Sequence, residues 1–453
     1  MTIADELIVR YREEGIPRIK LGVTDIDGVL RGKYISLDKF AGMAAGTSGF
    51  CDCVLGWDVD DQLYYNATFT GWHTAFPDAL YRLDLTTERR LNDEHGIPYF
   101  IGEFVEPDND FHPLCPRSRL RTVVDRANEM GFSPHLAFEY EFFLFRETAR
   151  SARDKGYRDL VPLSPGNFGY SVLRTMTESD LFNALMDYAI EHDFPLEGLH
   201  CETGPGVWEA AIAVDKALVA ADKASLFKTF SKAFFQKREL LATFMAKWSM
   251  DYPGQSGHCH QSLLDVESGR NVFFDAGGSD GMSETMRHYL GGLQKYMKPL
   301  LAITSPTINS YTRLVKGAWA PTSATWGIEN RTCALRVIRG SEKAQRVEFR
   351  IGSADANPYL VAAANLGAGL IGIRDRIEPT ASITGNAYEQ EDQAESLASN
   401  LRDATRELAQ SNAAREIFGD AFVDHFVASR DWEVREYERA VNDWQLQRYF
   451  EII

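Results

Sequence analysis

The sequence predicts an α+β protein, in two domains or in one large domain with an appendage, on three observations. The first hundred or so residues are β-rich. Four later strand-like stretches carry ionisable residues on one side only. Long helical patterns lie between and after them. At 453 residues the chain can bury a large core.

The elements follow in order. "MTIADELIVRYREEG" starts an amphipathic helix with acidic residues, unlike a signal peptide. "RIKLGVTDIDGVLRGKYIS" reads as two short strands around an Asp27-Gly28 turn. "FVEPDNDFHPLCPRS" (104–118) collects prolines and aspartates and marks the junction, giving domains 1–111 and 112–453. "RSRLRTVVDRANEMGF" is an amphipathic helix ending at Gly131, and "HLAFEYEFFLF" (135–145) is a strand. Helical patterns cover 215–245 and 283–299. In "ANPYLVAAANLGAGLIGI" (356–373), Pro358 near the N-terminus and a small, apolar body predict a buried helix. The last 60 residues read as helical and charge-mixed, a solvated bundle or an oligomer contact.

A formal charge of −17 argues against nucleic acid or an anionic membrane as partner. No apolar run approaches the roughly 18 residues of a membrane span. The six cysteines show neither a disulfide framework nor a CxxC…CxxC zinc pattern, and Cys51 and Cys53 form only a CxC. Reduced thiols and a cytoplasmic location are expected.

Glu139 and Glu141 sit two residues apart in an otherwise apolar strand, so both carboxylates point the same way. Burying like charges that close is costly. Three further stretches repeat the peculiarity. "HCETGPGVWE" carries Glu202 and Glu209 on either side of a Gly-Pro-Gly turn. "GQSGHCHQSL" puts His258 and His260 on one face, with Ser262 beyond. "RVEFRIG" alternates Arg346, Glu348 and Arg350 with Val347 and Phe349. Singly, each has an ordinary explanation: an ion-paired edge strand, hydrogen-bonded core histidines, a solvated strand face. Together they favour one shared site. Carboxylate oxygens with one imidazole suit Mg²⁺ or Mn²⁺ better than structural zinc. The arginines suggest a second anion opposite the metals. Metals and guanidinium groups around phosphate oxygens are the apparatus of phosphoryl transfer. No GxxxxGK[ST] loop is present.

The four segments, with "SPTINSYTRLVKGAWAP" (305–321), "NRTCALRV" (330–337) and the 356–373 stretch, resemble the catalytic domain of the glutamine synthetase superfamily from about residue 112 to 453. The resemblance implies a small β-grasp N-terminal domain and a catalytic domain whose antiparallel strands form a metal-lined funnel. It implies a homo-oligomer, a dodecamer of two stacked hexameric rings with active sites between subunits. ATP would phosphorylate the side-chain carboxylate of L-glutamate, and a nitrogen nucleophile would attack the γ-glutamyl phosphate. Carried over by motif, Glu141, Glu202 and Glu209 resemble ligands of the metal nearest the substrate. Glu139, His258 and Glu348 resemble ligands of the metal on the ATP phosphates. Two or three Mg²⁺ or Mn²⁺ are implied in all. Arg313, Arg350 and the backbone of Gly254 would hold glutamate, and His258 also falls at the substrate. Arg331 and Arg336 would stabilise the transferring phosphoryl group. His260, Ser262, Lys343 and Arg346 match nucleotide contacts.

The sequence departs from the family at one end of the site. Ammonia-using members carry a glutamate six residues after the arginine of "NSYxR", where this chain has Trp319. Indole cannot take a proton from ammonium, but it packs against alkyl or aryl groups. "GWDVDDQLYY" (56–65) stands where the family has small serines; Asp58 aligns best with the acid that binds ammonium across the subunit interface, and Asp60 and Asp61 follow. The glutamine of the "PGQ" turn is Val207. The resemblance therefore implies an ATP-dependent γ-glutamyl–amine ligase acting on a primary amine, as in the family's polyamine, ethanolamine, alkylamine and arylamine branches. Authentic glutamine synthetase and an inactive scaffold or sensor are the alternatives. Tyr388 falls near a loop adenylylated in some bacterial members and reads as a surface aromatic.

Overall fold

The structure is a computed structural model and describes residues 2–108 and 110–453. Its strands are β1 (Arg18–Thr24), β2 (Leu30–Ser36), β3 (Ser48–Cys51), β4 (Asp78–Leu91), β5 (Ile97–Val105), β6 (Phe132–Phe145), β7 (Leu196–Cys201), β8 (Val207–Ile212), β9 (Asp215–Lys216), β10 (Leu241–Thr243), β11 (Gly257–Asp265), β12 (Trp326–Ile328), β13 (Leu335–Ile338) and β14 (Arg346–Phe349).

The first five form one sheet in the order β2-β1-β5-β4-β3, with β1 and β5 parallel at its centre and the other pairs antiparallel. A mixed sheet with parallel central strands is the arrangement expected of a β-grasp. Gly28, at φ +84°, makes the turn between β1 and β2 that the Asp27-Gly28 pair predicts. Tyr11, Leu21, Phe40, Phe100 and Phe104 belong to this sheet's own core.

The remaining strands form a second sheet in the order β12-β13-β14-β11-β6-β8-β7, with β9 and β10 also paired to β6. Strand β6 is its spine. Leu136, Phe138, Tyr140 and Phe142 are buried on one face. Tyr140 and Phe142 lie 6.2 and 6.0 Å from the Phe227 ring on the helix Ala217–Gln236. Strand alternation therefore turns Glu139 and Glu141 to the opposite face. Behind the sheet, Pro358–Asp375 packs against the helices Pro116–Glu129, Ala217–Gln236 and Glu284–Tyr296. It is buried from Pro358 to Gly372, as its composition predicts.

The helical pattern over 215–245 does not run its full length. The helix ends at Gln236, Glu239 takes φ +58°, and Leu241–Thr243 pairs with Phe143–Phe145. The charged Lys237-Arg238-Glu239 turn reverses the chain, and the apolar residues beyond it are more useful at the sheet edge.

Buried polar bonds join the N-terminal sheet to the rest. The Arg117 guanidinium donates to Asp222 at 2.8 and 2.9 Å and to Asp84 at 2.8 Å. Asn357 Nδ2 donates to the carbonyls of Asp25 and Ile26 at 3.0 and 3.1 Å. Among the described residues no helix is long and apolar enough to cross a membrane.

Candidate metal and phosphoryl-transfer site

Strand register assembles the site. Glu139 on β6 stands opposite His258 on β11, and Glu141 stands opposite Glu209 on β8. Glu209 in turn faces His200 on β7. On the other side His260 faces Glu348 on β14, which faces Arg336 on β13. Directly opposed residues share a sheet face, so one row of charge crosses five neighbouring strands and reaches a sixth. Residues far apart in sequence meet because alternation holds on every strand.

The row encloses a cavity of about 420 Å³ lined by Glu139, Glu141, Glu202, Glu209, His258 and Glu348. Arg313, Arg331, Arg336, Arg350, Gly254 and Trp319 line it too. Two donor groups stand out. Ligand atoms of Glu139, His258 and Glu348 lie within 4.8 Å of one another, as do those of His200, Glu202 and Glu209. His258 Nδ1 is 3.5 Å from Glu139 and 3.4 Å from Glu348. His200 Nε2 is 3.1 Å from Glu202 and 3.7 Å from Glu209.

The electrostatics describe a set of carboxylates short of positive charge. Burial and then the neighbouring Glu141, Glu139, Glu202 and Glu348 push Glu209 up to about 9. Burial also opposes ionisation of Glu348, but Arg350, His258 and His260 outweigh it and bring the group to about 2. Glu139 is likewise held well below the carboxylate range, its burial outweighed by His258 and His260. A divalent cation would relieve this repulsion among the carboxylates, and oxygen-rich donors with one imidazole in each group suit a hard cation. The residues therefore fit divalent metal.

The basic side is equally fixed. Arg313 ends the short helix Ile308–Arg313 and is only 2% exposed. Its Nη1 and Nη2 donate to the carbonyls of Ile351 and Arg350 at 2.8 and 3.1 Å. Burial lowers it to about 10. Arg350 bonds Glu348 through Nη1, and its Nε has no partner among the described residues. Arg336 Nη1 donates to Glu348 at 3.0 Å and Nη2 to Glu329 at 2.6 Å. Arg331 is exposed at the mouth. Gly254 leaves room for Arg313: a Cβ there would meet Arg313 Cγ at 2.5 Å.

Not every expected residue reaches the cavity. His260, Ser262, Lys343 and Arg346 lie outside its lining. His260 Nδ1 accepts from Arg346 Nε at 3.1 Å, and its Nε2 is 3.2 Å from Glu139. Ser262 is half-buried farther along β11, and Lys343 is exposed in the turn before β14. Asp58 stands away from the cavity of its own chain. Its Oδ2 accepts from Trp432 Nε1 at 2.9 Å and its Oδ1 from the amides of Asp60 and Gln62. Trp319, at φ +58° and 60% exposed, lines the cavity beside Ala318.

Tyr388 corrects the sequence reading. It is 9% exposed rather than a surface aromatic, and its hydroxyl has no partner among the described residues. Burial raises its pKa while the nearby Arg350 and Arg313 oppose the rise. The loop of 387–389 folds inward because Asn386 caps it and Ala387 packs on Cys333 and Ile383. Sequence reasoning missed His200 and Tyr170. His200 precedes Glu202 by two, the same spacing as Glu139 and Glu141, and that alternation was the available signal. Tyr170, whose ring stacks on His200 at 4.4 Å, sits in a loop with no such periodicity.

Comparison with known proteins agrees with this geometry. The family description "Glutamine synthetase, catalytic domain" matches residues 113–449. Type-1 glutamine synthetase 2 of Dictyostelium discoideum is 41% identical over 100% of this chain and 87% of its own length. Glutamate–isopropylamine ligase of a Pseudomonas species is 36% identical, covering 97% of this chain and 96% of that protein. The γ-glutamylethanolamide synthetase of Streptomyces coelicolor is 34% identical, over 99% and 95%. The solved ligand-free structure of GmaS superimposes with a TM-score of 0.85 at 27% identity, over 98% of this chain and 99% of that one. A row of metal-competent carboxylates facing buried arginines, in a chain so matched, places this protein in the glutamine synthetase family of ATP-dependent carbon–nitrogen ligases.

Proposed function

We propose that this protein joins the γ-carboxylate of L-glutamate to a primary amine, with ATP as phosphoryl donor and γ-glutamyl phosphate as intermediate. Arg313 and Arg350 hold the glutamate carboxylates, with the Gly254 backbone beside them. Arg331 and Arg336 face the transferring phosphoryl group, where guanidinium charge counts most in the transition state. Glu139, His258 and Glu348 would hold one divalent cation, and Glu141, Glu202 and Glu209, with His200, another. Mg²⁺ or Mn²⁺, when bound, neutralises phosphate charge and keeps donor and acceptor in line. His260, Ser262, Lys343 and Arg346 lead outward along β11 and β14 as the nucleotide path. Asp58 would act in a neighbouring subunit's site rather than its own.

The observation that carries the amine reading is Trp319. An indole lines the cavity where ammonia-using members place a carboxylate, so this end favours an apolar substituent on the nitrogen. The names of the isopropylamine and ethanolamide relatives support it. An ammonia reaction is the second reading, supported by the name of the 41%-identical Dictyostelium relative. A scaffold role is disfavoured, since all six expected ligands are present and converge. We take residues 1–111 as the N-terminal domain, the cytoplasm as the location and a double-ringed dodecamer as the assembly. Phe450, Ile452 and Ile453, each at least 84% exposed, support a further subunit contact.

The test is phosphate release from ATP with L-glutamate and Mg²⁺, scanning ammonia against methylamine, ethylamine, isopropylamine, ethanolamine, putrescine and aniline, with product mass. Preference for one amine over ammonia is expected. Turnover with ammonia alone overturns the reading.

A further inference from the structure

Cys51 ends β3, and Cys53 lies in the 3-10 turn Asp52–Leu55 that follows. Their Sγ atoms are 3.0 Å apart. Both residues are half-buried, whereas Cys115, Cys201, Cys259 and Cys333 are buried. Two thiolates on one tetrahedral zinc, with bonds of about 2.3 Å, would sit about 3.8 Å apart. A disulfide brings the sulfurs to about 2.05 Å. The observed separation is already inside the metal-bridged distance, and small rotations about the two Cα–Cβ bonds would close the remainder.

We propose that Cys51 and Cys53 are a redox modification site that closes into a reversible intrachain disulfide. The oxidant is a hydroperoxide. Cys51 sulfur attacks its terminal oxygen, the O–O bond breaks, and a sulfenic acid forms as water or an alcohol leaves. Cys53 sulfur then attacks the sulfenic sulfur. The S–S bond forms, the S–O bond breaks, and the departing hydroxide takes the Cys53 proton as water. The pair loses two electrons and the peroxide gains them; a dithiol reverses the bond by exchange. Burial, then the adjoining Cys51, pushes the Cys53 thiol up to about 12, which disfavours Cys53 as the first attacking sulfur.

The turn is the base of a segment held against the helix Asp420–Arg439. His425 Nε2 bonds the Leu55 carbonyl at 2.7 Å, Trp432 Nε1 bonds Asp58 at 2.9 Å, and Asn66 Nδ2 bonds the Ala428 carbonyl at 2.7 Å. Closing the small ring tightens the turn immediately before Leu55 and Asp58. The bond itself stands on sulfur geometry. Its effect on amine use rests on the reading of Asp58 given above.

The experiment treats the full-length protein with hydrogen peroxide, alkylates free thiols, and maps peptides by mass. The peptide holding Cys51 and Cys53 should lose two hydrogen masses, escape alkylation, and regain both thiols with dithiothreitol. In Cys53→Ser the remaining Cys51 should stop at a dimedone-reactive sulfenic acid, and neither single variant should form the intrachain bridge. Full alkylation of both sulfurs after peroxide, or overoxidation of Cys51 without a bridge, overturns the proposal. Oxidised and reduced protein are then compared for amine KM, with the double serine variant as control. A change of about five-fold, the low end of ordinary coupling, with ATP KM steady, is expected. A bridge that leaves amine KM unmoved overturns the link to Asp58 alone. An enzyme inactive with every amine would fail the amine reading while the mass result still decides the bridge.

Discussion

Replacing Gly254 by alanine should cost glutamate binding specifically. The new Cβ would stand 2.5 Å from Arg313 Cγ, 2.9 Å from Arg313 Cβ and 2.7 Å from the Ala246 carbonyl oxygen. An ordinary carbon contact is about 3.5 Å, so the Arg313 stem must retreat by about 1 Å. It cannot do so freely, because its guanidinium is tied to two carbonyls, at 2.8 and 3.1 Å. A misplacement of about 1 Å in a group that positions substrate costs up to roughly 100-fold, about 2.7 kcal/mol. Overpacking itself costs stability of about 1–3 kcal/mol. Steady-state kinetics of Gly254→Ala should therefore show glutamate KM raised by about ten- to 100-fold, with ATP and amine KM little changed. A thermal melt must accompany them, so that loss of folded enzyme is not read as weak binding. Folded Gly254→Ala with the parent glutamate KM would refute the placement of Arg313 at the substrate.

Three further outcomes are expected. Trp319→Glu should raise ammonia use relative to amine use in the phosphate-release assay; an unchanged ratio would mean that the indole only packs the loop. Adding Mg²⁺ or Mn²⁺ at about 100 times Kd should stabilise the protein by about 2.7 kcal/mol, seen as a rise in Tm. Glu348→Ala, which removes a carboxylate 1% exposed between Arg336, Arg350 and His258, should lose much of that response. Burial drives His425 down to about 4 from the usual 6.5, so the fold prefers the neutral ring. The unfolded chain then binds the extra proton, and stability is full above about pH 6.5 and lost progressively toward pH 4, by about 2 kcal/mol at pH 5. His425→Gln, which can keep a donor for the Leu55 carbonyl, should flatten that part of the slope in denaturant titrations at pH 5 and 7; an unaltered slope would assign the loss to other groups.

Much of the site was legible because strand periodicity is a local property. Glu139 and Glu141, His258 and His260, and Arg346 with Glu348 and Arg350 each announce a charged face within a few residues of sequence. The two-residue step also contained His200, passed over beside the more conspicuous glutamates. Helix ends were less legible: the apolar "LATF" after Glu239 fits a helix by composition, and only β6, nearly a hundred residues earlier, makes it a strand.

By itself the sequence determined the alternations, the turn at Gly28, the buried helix at Pro358 and a donor set suited to a divalent cation. Periodicity and donor chemistry need no knowledge of what lies across the fold. Tertiary structure alone decided register, and register decided which charges meet. It buried Glu209 against Glu141, and that burial, then the carboxylates beside it, drives Glu209 up to about 9. It turned Tyr388 inward toward Arg313 and Arg350, and it tied Asp58 to Trp432 across 374 residues. Those outcomes depend on burial and Coulomb interaction between distant segments, which fall off with distance in space and are indifferent to separation along the chain.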